Sequence, residues 1–455
     1  MLADSEDNIA AIATPAGRAA LGIVRLSGKT CFQIVSQVFV PRSGNAVLPF
    51  RPSVGKIRLD GDRFLDEAVL TYFEKPHSYT REDLVEITCH GNPLILEEVL
   101  GRILSAGARL ARPGEFTYRA FLNGRMDLLQ AEAVQDLITA DSIYQAELAL
   151  QQLGGKLSAR LHELREKFLK LVALMEGNID FSEEQHYHFI DSAEGIARLR
   201  DIQQSISDLL GTFERGRLIR EGFRVALVGR PNVGKSCLFN NLLGQDRAIV
   251  NPLPGTTRDY ISERLTLGNH AVYFVDTAGI RQPGEEVENE GIQRSLQVSV
   301  NADLILFVLD GSRPLMAEDY HLWELIKERE TVAVCNKMDL AEFRTHQFDD
   351  KECKSVSSLT GSGVAELMEV IKRRVEEKVR FSKTDSLITS YRHRQILLKT
   401  MECVQRASEA LEANMSEEFA LVEVYAAMRA VGELTGEVTV DDIYQEIFAN
   451  FCIGK

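Results

Sequence analysis

The sequence predicts a multidomain chain that combines an α+β domain, a helical domain in two pieces and an α/β domain set between those pieces. Three observations carry this prediction. Short strand-like runs broken by turns fill the first part of the chain. Helical periodicity takes over near Leu128 and returns after about Arg380. Between them, from Gly222, short apolar runs alternate with helical segments, the signature of a parallel sheet with crossover helices. The boundaries drawn on this texture are 1–118, 119–221, 222–379 and 380–455.

Each element has its own justification. "ALGIVRLSG", "FLDEAVLTYF" and "DLVEITCHG" read as strands, and "PLILEEVLGRILSAG" as the helix that follows them. Beyond them Leu128, Ala131, Val134, Leu137 and Ile138 share one stripe of a helix, and "SARLHELREKFLKLVALME" continues the pattern. In the third block "RVALVG", "VYFVDTAG", "LILFVLD" and "TVAVCNKMD" are the strands. "RQILLKTMECVQRASEALEA" and "EFALVEVYAAMRAVGEL" resume helical periodicity. Helical sequence on both sides of the α/β block is most economically one domain with an insertion; two separate helical domains are the alternative.

Composition narrows the function classes. The chain has 455 residues, enough for several cores, and no apolar stretch of membrane-spanning length. Its start, MLADSEDNIA, is acidic where a signal peptide would be basic. The seven cysteines are scattered without metal-like spacing, which suits a reducing cytoplasm and no disulfide framework. A formal net charge of −15 argues against gripping nucleic acid with the whole surface, though not against a local groove or a partner that supplies one.

The strongest motif is "GRPNVGKS", Gly229–Ser236, placed between a strand and a helix. Gly229 and Gly234 let the backbone N–H groups of Asn232, Val233 and their neighbours curl toward phosphates. Lys235 suits the β- and γ-phosphates, and the Ser236 hydroxyl suits Mg²⁺. "DTAG" supplies Asp276, Thr277, Ala278 and Gly279, with Asp276 beside the metal and the Gly279 N–H toward the γ-phosphate. "NKMD" supplies Asn336, Lys337 and Asp339, whose carboxylate pairs with the N1–H and amino group of guanine; adenine offers no such pair. "SSL", Ser357, Ser358 and Leu359, forms a loop over the base edge. The nucleotide is therefore GTP. "NPLPGTTRD" contributes Asn251, Pro252, Leu253, Pro254, Gly255, Thr256 and Thr257 as a first switch segment, with Thr256 and Thr257 reaching Mg²⁺ and the γ-phosphate. After "DTAG" stands Ile280, where Ras-like proteins carry a water-orienting glutamine, so hydrolysis needs another group and another positive charge.

The tail "FCIGK" raises a separate question. Cys452 stands where a prenylated cysteine would, but Gly454 and Lys455 spoil that motif. From the residues alone, Cys452 reads as a small packed hydrophobe at a helix end, although Lys455 could favour its thiolate.

Taken together, "GRPNVGKS", "GTTRD", "ATPAGRAALGIVRLSG", "RPGEFTYRAFLNGRMDL" and "LTGEVTVDDIYQEIFANFCIGK" resemble the MnmE (TrmE) tRNA-modification GTPases along essentially the whole chain. The resemblance implies an N-terminal folate-binding domain that dimerises, a discontinuous helical domain and an inserted P-loop (Ras-like) G domain. It implies a K⁺ ion held by Asn232, Asn251, Leu253 and Thr256 where an arginine finger would lie, and Mg²⁺ on Ser236 and Thr257. Cys237 stands where the family commonly has Ser, a small, side-pointing change beside the nucleotide. Glu288 matches the family's glutamate that orients water through a second water; by itself it reads as a solvated charge in an acidic loop. Arg25, Glu86, Arg125 and Lys455 match positions that contact 5-formyl- or methylene-tetrahydrofolate. Arg125 replaces a more common Lys, and Arg25 alone reads as a surface strand end. The implied function is a K⁺-dependent cytoplasmic GTPase that, with an FAD-dependent MnmG/GidA-type partner, adds an aminomethyl or carboxymethylaminomethyl group at C5 of the tRNA wobble uridine, with Cys452 assisting. A heterotetramer with that partner and no membrane association follow from the same resemblance. The competing reading is a ribosome-assembly or signalling switch without group transfer; it leaves the first domain and the tail without a role.

Overall fold

The computed structural model describes residues 7–42, 44, 46–59, 63–180, 190–244, 262–276, 302–348, 351–379, 386–437, 447–448, 451 and 454. The chain forms two compact units: 1–135, 153–165 and 428–455 in the first, 136–152 and 166–427 in the second.

The first unit is built on a seven-stranded sheet. In chain order its elements are β1 (Ile9–Ile12), β2 (Leu21–Ser27), α1 (Cys31–Val38), β3 (Phe39–Pro41), β4 (Ser53–Arg58), β5 (Phe64–Phe73), β6 (Leu84–His90), α2 (Pro93–Ser105), β7 (Arg109–Leu110), α3 (Glu115–Leu122) and α4 (Leu128–Ile138). The strand order is β3-β4-β5-β6-β2-β1-β7. Period-two alternation explains the layering. Val24 and Leu26 of β2, with Val85, Ile87 and Cys89 of β6, face a core shared with Ile34, Val35, Leu96, Val99 and Ile103 of α1 and α2. The intervening residues, Arg25 and Glu86 among them, therefore point to the other face, where Phe116 of α3 packs with Ile9, Ala11 and Ala111. The helix α2 starts where Asn92 accepts from the Leu94 N–H ahead of Pro93, a sequence-legible start. The three strands read from sequence are β2, β5 and β6; the short β1, β3, β4 and β7 complete the sheet. On α4 the apolar stripe is buried at Leu128, Ala131 and Val134, whereas Ile138 in the last turn is 40% exposed.

In the second unit the helices α5 (Ile143–Leu153), α6 (Lys156–Asp180, whose first part belongs to the first unit), α7 (Ser192–Leu210) and α8 (Phe213–Glu221) precede the α/β block. That block runs β8 (Phe223–Val228), α9 (Lys235–Gly244), β9 (Ser262–Leu267), β10 (His270–Asp276), β11 (Leu304–Asp310), α10 (Ala317–Ile326), β12 (Thr331–Asn336), β13 (Cys353–Ser355) and α11 (Val364–Lys378). The sheet order is β13-β12-β11-β8-β10-β9, parallel except for β9. All of β11 and β12 is buried, as helices on both faces of a parallel sheet require. Because β8 has β10 on one side and β11 on the other, its carboxyl end is a topological switch point, where such sheets bind ligands. The chain then continues through α12 (Tyr391–Glu412) and α13 (Glu417–Thr435, whose part from Met428 belongs to the first unit). The helices α7 and α12 lie side by side: the Gln203 amide donates to Gln405 at 3.2 Å, and Leu199, Ile202, Ile206, Leu397, Val404 and Leu411 are buried.

Candidate functional site

Three loops meet at the carboxyl edge of the parallel sheet. The first, Gly229–Gly234, joins β8 to α9. Asn232 has φ 63° and Gly234 φ 99°, so the loop curls back on itself before the helix begins. A Cβ on Gly229 would lie 2.2 Å from the Val308 carbonyl oxygen, and one on Gly234 would lie 2.2 Å from Asn336 Nδ2. Both glycines are therefore demanded by close approach. The buried Lys235 donates from Nζ to the Gly229 and Arg230 carbonyls, each at 2.8 Å, which keeps an ammonium inside the loop. At Arg230 the loop is braced from outside: its Nε donates to Asp319 Oδ1 at 2.7 Å, and Asp319 Oδ2 accepts from the Met316 N–H at the start of α10.

The second and third loops follow β12 and β13. Asn336, fully buried at the end of β12, ties all three together. Its Nδ2 donates to the Val233 carbonyl (2.8 Å) and to Ser358 Oγ (2.9 Å), and its Oδ1 accepts from the Ser358 N–H (2.9 Å). The Cys237 thiol (2.8 Å) and the Asn241 amide both donate to the Ser358 carbonyl from α9. Asp339 is exposed at the rim, with its Oδ1 accepting from the Ser357 hydroxyl at 2.6 Å. Leu359 is 81% exposed beside it. Lys337, between Asn336 and Asp339, has φ 68°, and its Nζ donates to Asp310 Oδ2 at 2.6 Å. Burial alone would raise the Asp310 carboxyl; hydrogen bonds from Lys337 and Ser312 outweigh it and hold the group below its ordinary value.

A helix N-terminus, a curled loop with an internal ammonium and an oriented rim carboxylate fit a purine nucleotide with its phosphates at α9. Ser236 lies exposed at the start of α9, open to a phosphate-bound metal. The strand β10 ends at Asp276. The stretch Asn251–Thr257, with Thr277, Ala278, Gly279, Ile280 and Glu288, lies outside the described residues.

The first unit gathers a second cluster. Arg25 and Glu86 are direct cross-strand partners on β2 and β6. Arg25 donates to Glu86 Oε1 from Nε (2.9 Å) and Nη2 (2.7 Å), and from Nη1 to the Gly454 carbonyl (3.2 Å). Two guanidinium groups lie over the ring of Tyr79, Arg25 at 5.5 Å and Arg125 at 4.9 Å from its centroid. Arg125 also donates to the Ser78 carbonyl at 2.7 Å. Burial pushes the Tyr79 phenol up, against the Thr117 hydrogen bond and the two arginines. Gly454, at φ 98°, leaves only 2.6 Å between a built Cβ and the Ile12 carbonyl oxygen, so the last turn needs glycine there. Phe448 and Phe451 pack with Tyr118 and Phe121 on α3, while Cys452 and Lys455 lie outside the described residues. Arg25 is thus no bare surface strand end: its side chain is 16% exposed and ties sheet to tail. Paired arginines, a carboxylate and an aromatic face fit a flat ligand that carries both amino and carboxylate groups.

Sequence reading missed Asp310, Asp319, Asn241 and Tyr79. Asp310 had a visible signal, closing the run "LILFVLD" at the same sheet edge as Gly229 and Asn336. The other three act through packing across elements, which spacing does not reveal.

A family model described as the MnmE helical domain matches residues 128–452, and one described as the GTP-binding protein TrmE N-terminus matches residues 8–125. The chain belongs to the MnmE (TrmE) family. The tRNA modification GTPase MnmE of Aquifex aeolicus is 44% identical over 449 residues, covering 98% of this chain and 99% of that protein. Those of Koribacter versatilis and Syntrophotalea carbinolica are each 42% identical, over 454 and 459 residues, covering 99% of this chain and 99% and 100% of theirs.

Gly234→Ala should destabilise the chain by roughly 2–4 kcal/mol, from backbone strain plus the clash with Asn336. Gly244→Ala, where a Cβ meets nothing within 4 Å, is the control and should be near neutral. Equal denaturation midpoints for both variants would contradict the loop geometry.

Proposed function

We propose that this chain, a GTP hydrolase of tRNA modification, works at the wobble uridine with a flavoprotein partner of the MnmG/GidA type. The observation that carries the nucleotide part is Asn336, whose side chain bonds the Val233 carbonyl and Ser358 and so makes one pocket of three loops. In this reading Asp339 selects guanine, Lys235 and the α9 N-terminus hold the phosphates, and Ser236 with Thr257 would hold Mg²⁺. Asn232, Asn251, Leu253 and Thr256 would hold K⁺, which supplies, when bound, positive charge at the phosphates. Glu288 would orient the attacking water. Lys235→Ala should abolish GTP binding and hydrolysis; hydrolysis at the unmodified rate by that variant would refute the assignment.

K⁺ dependence has its own test. Exchange of K⁺ for Na⁺ should slow hydrolysis roughly 10–100-fold, and Asn232→Ala should remove the difference. Equal turnover in the two salts would remove the cation from the account.

For the first unit, we read Arg25, Glu86, Arg125 and Lys455 as contacts of a 5-formyl- or methylene-tetrahydrofolate, whose one-carbon unit becomes the bridging carbon of the modification. The Arg25–Glu86 pair and the two cations on Tyr79 support a site for a pterin with an anionic tail. Cys452 would assist the transfer. The segments 1–118, 119–221, 222–379 and 380–455 then serve as folate-binding and dimerisation domain, first helical part, G domain and second helical part; the packing of α7 on α12 supports an inserted G domain. Assembly as a homodimer through the first domain, and with the partner as a heterotetramer, completes the reading. Full-length protein should sediment as a dimer without nucleotide; a monomer under those conditions would contradict it. Work in the cytoplasm is part of the same proposal; among the described residues no helix is long and apolar enough to cross a membrane.

A further inference from the structure

We infer that Asp310 is a positioning residue for base recognition, acting through Lys337 to set Asp339 at the guanine edge. The inference rests on the guanine-nucleotide reading of the pocket.

Lys337 sits at φ 68°, in the left-handed region that long L side chains rarely occupy. That turn is what takes the chain from buried β12 to the rim. On one side Asn336 is locked to Val233 and Ser358; on the other the Met338 N–H donates to the Val356 carbonyl at 3.0 Å, and Asp339 meets the Ser357 hydroxyl. With a negative φ at Lys337, Asp339 would swing away from Ser357. Such a turn persists only where its surroundings over-determine it.

Asp310 supplies that determination. It ends β11 directly opposite Asn336 in the parallel register, and the Gly311 N–H donates to the Asn336 carbonyl at 2.9 Å. Both carboxylate oxygens are committed. Oδ1 accepts from the Ser312 N–H (3.0 Å) and hydroxyl (2.6 Å), which fixes the rotamer, and Oδ2 accepts from Lys337 Nζ. The Asp310 side chain is 8% exposed and that of Lys337 31%, so this charge-assisted bond is only partly open to screening by solvent. The carboxylate is not at the rim and is held by protein donors on both oxygens, so its effect passes through Lys337.

Titration of the full-length chain with fluorescent GDP and GTP analogues tests this. Asp310→Asn should raise Kd for both nucleotides alike by about tenfold or more, since base and ribose are common to them. In turnover the loss should fall on KM, with kcat changed by less than about threefold. In a Lys337→Met background Asp310→Asn should add less than about twofold, because the coupling is already gone. Unchanged Kd, or the same factor in both backgrounds, would overturn the inference. Should Asp310→Asn fail to fold, Ser312→Ala reads the same link: a rise in Kd that vanishes in the Lys337→Met background supports it, and no rise overturns it. If the unaltered chain binds GDP no better than ADP, the guanine reading itself falls, and the inference with it.

Discussion

Asp339→Asn is expected to lower GTP affinity roughly 10²–10⁴-fold, the cost of two hydrogen bonds to a charged acceptor replaced by a mismatched amide. The same change should improve binding of xanthosine triphosphate, whose C2 carbonyl accepts from the new amide where guanine presents an amino group. The Ser357 hydroxyl, which donates to Asp339 Oδ1, can still donate to an Asn oxygen, so the loop should stay in place. Competition binding with GTP, XTP and ATP measures the effect. Unaltered GTP preference would mean that "NKMD" does not read the base, whatever its position at the sheet edge.

The second large effect concerns the tail. Cys452→Ser is expected to leave folding and GTP hydrolysis near normal, within about twofold, while abolishing wobble-uridine modification, because a hydroxyl lacks the thiolate chemistry available near neutral pH. The seating of its described neighbours motivates this: Phe451 packs with Phe448, and the Gly454 carbonyl accepts from Arg25 at 3.2 Å. Complementation of a deletion strain, read by nucleoside analysis, separates the alternatives. Full modification by the variant would remove the thiol from the chemistry. Lost modification with a matching fall in melting temperature would return Cys452 to a packing role.

Much of this was legible because local chemistry and tertiary structure agree. The loop at Gly229–Ser236 announces itself through spacing, and the structure gives the reason: each glycine is pressed against a carbonyl or an amide by the neighbouring strand. Strands β8, β10, β11 and β12 were readable because buried parallel strands carry near-continuous apolar runs. The strands β9 and β13 were not, since "SERLTL" is mostly polar and "CKS" is only three residues long, held by pairing rather than by their own pattern. At the first unit the motif match brought Arg25, Glu86 and Arg125 into consideration, but the meeting of two guanidinium groups with Tyr79 depends on tertiary packing, including the Tyr79–Thr117 hydrogen bond to α3. Spacing could not reveal either that Phe448 and Phe451 join Tyr118 and Phe121 of α3 in one apolar cluster of the first unit, because more than three hundred residues of chain intervene.

The most direct test of the central claim is mass-spectrometric nucleoside analysis of total tRNA from cells lacking this protein, beside cells restored with the unaltered gene. C5-aminomethyl-type wobble uridines should disappear in the deletion and return on restoration. A full complement of those nucleosides in the deletion strain would contradict it.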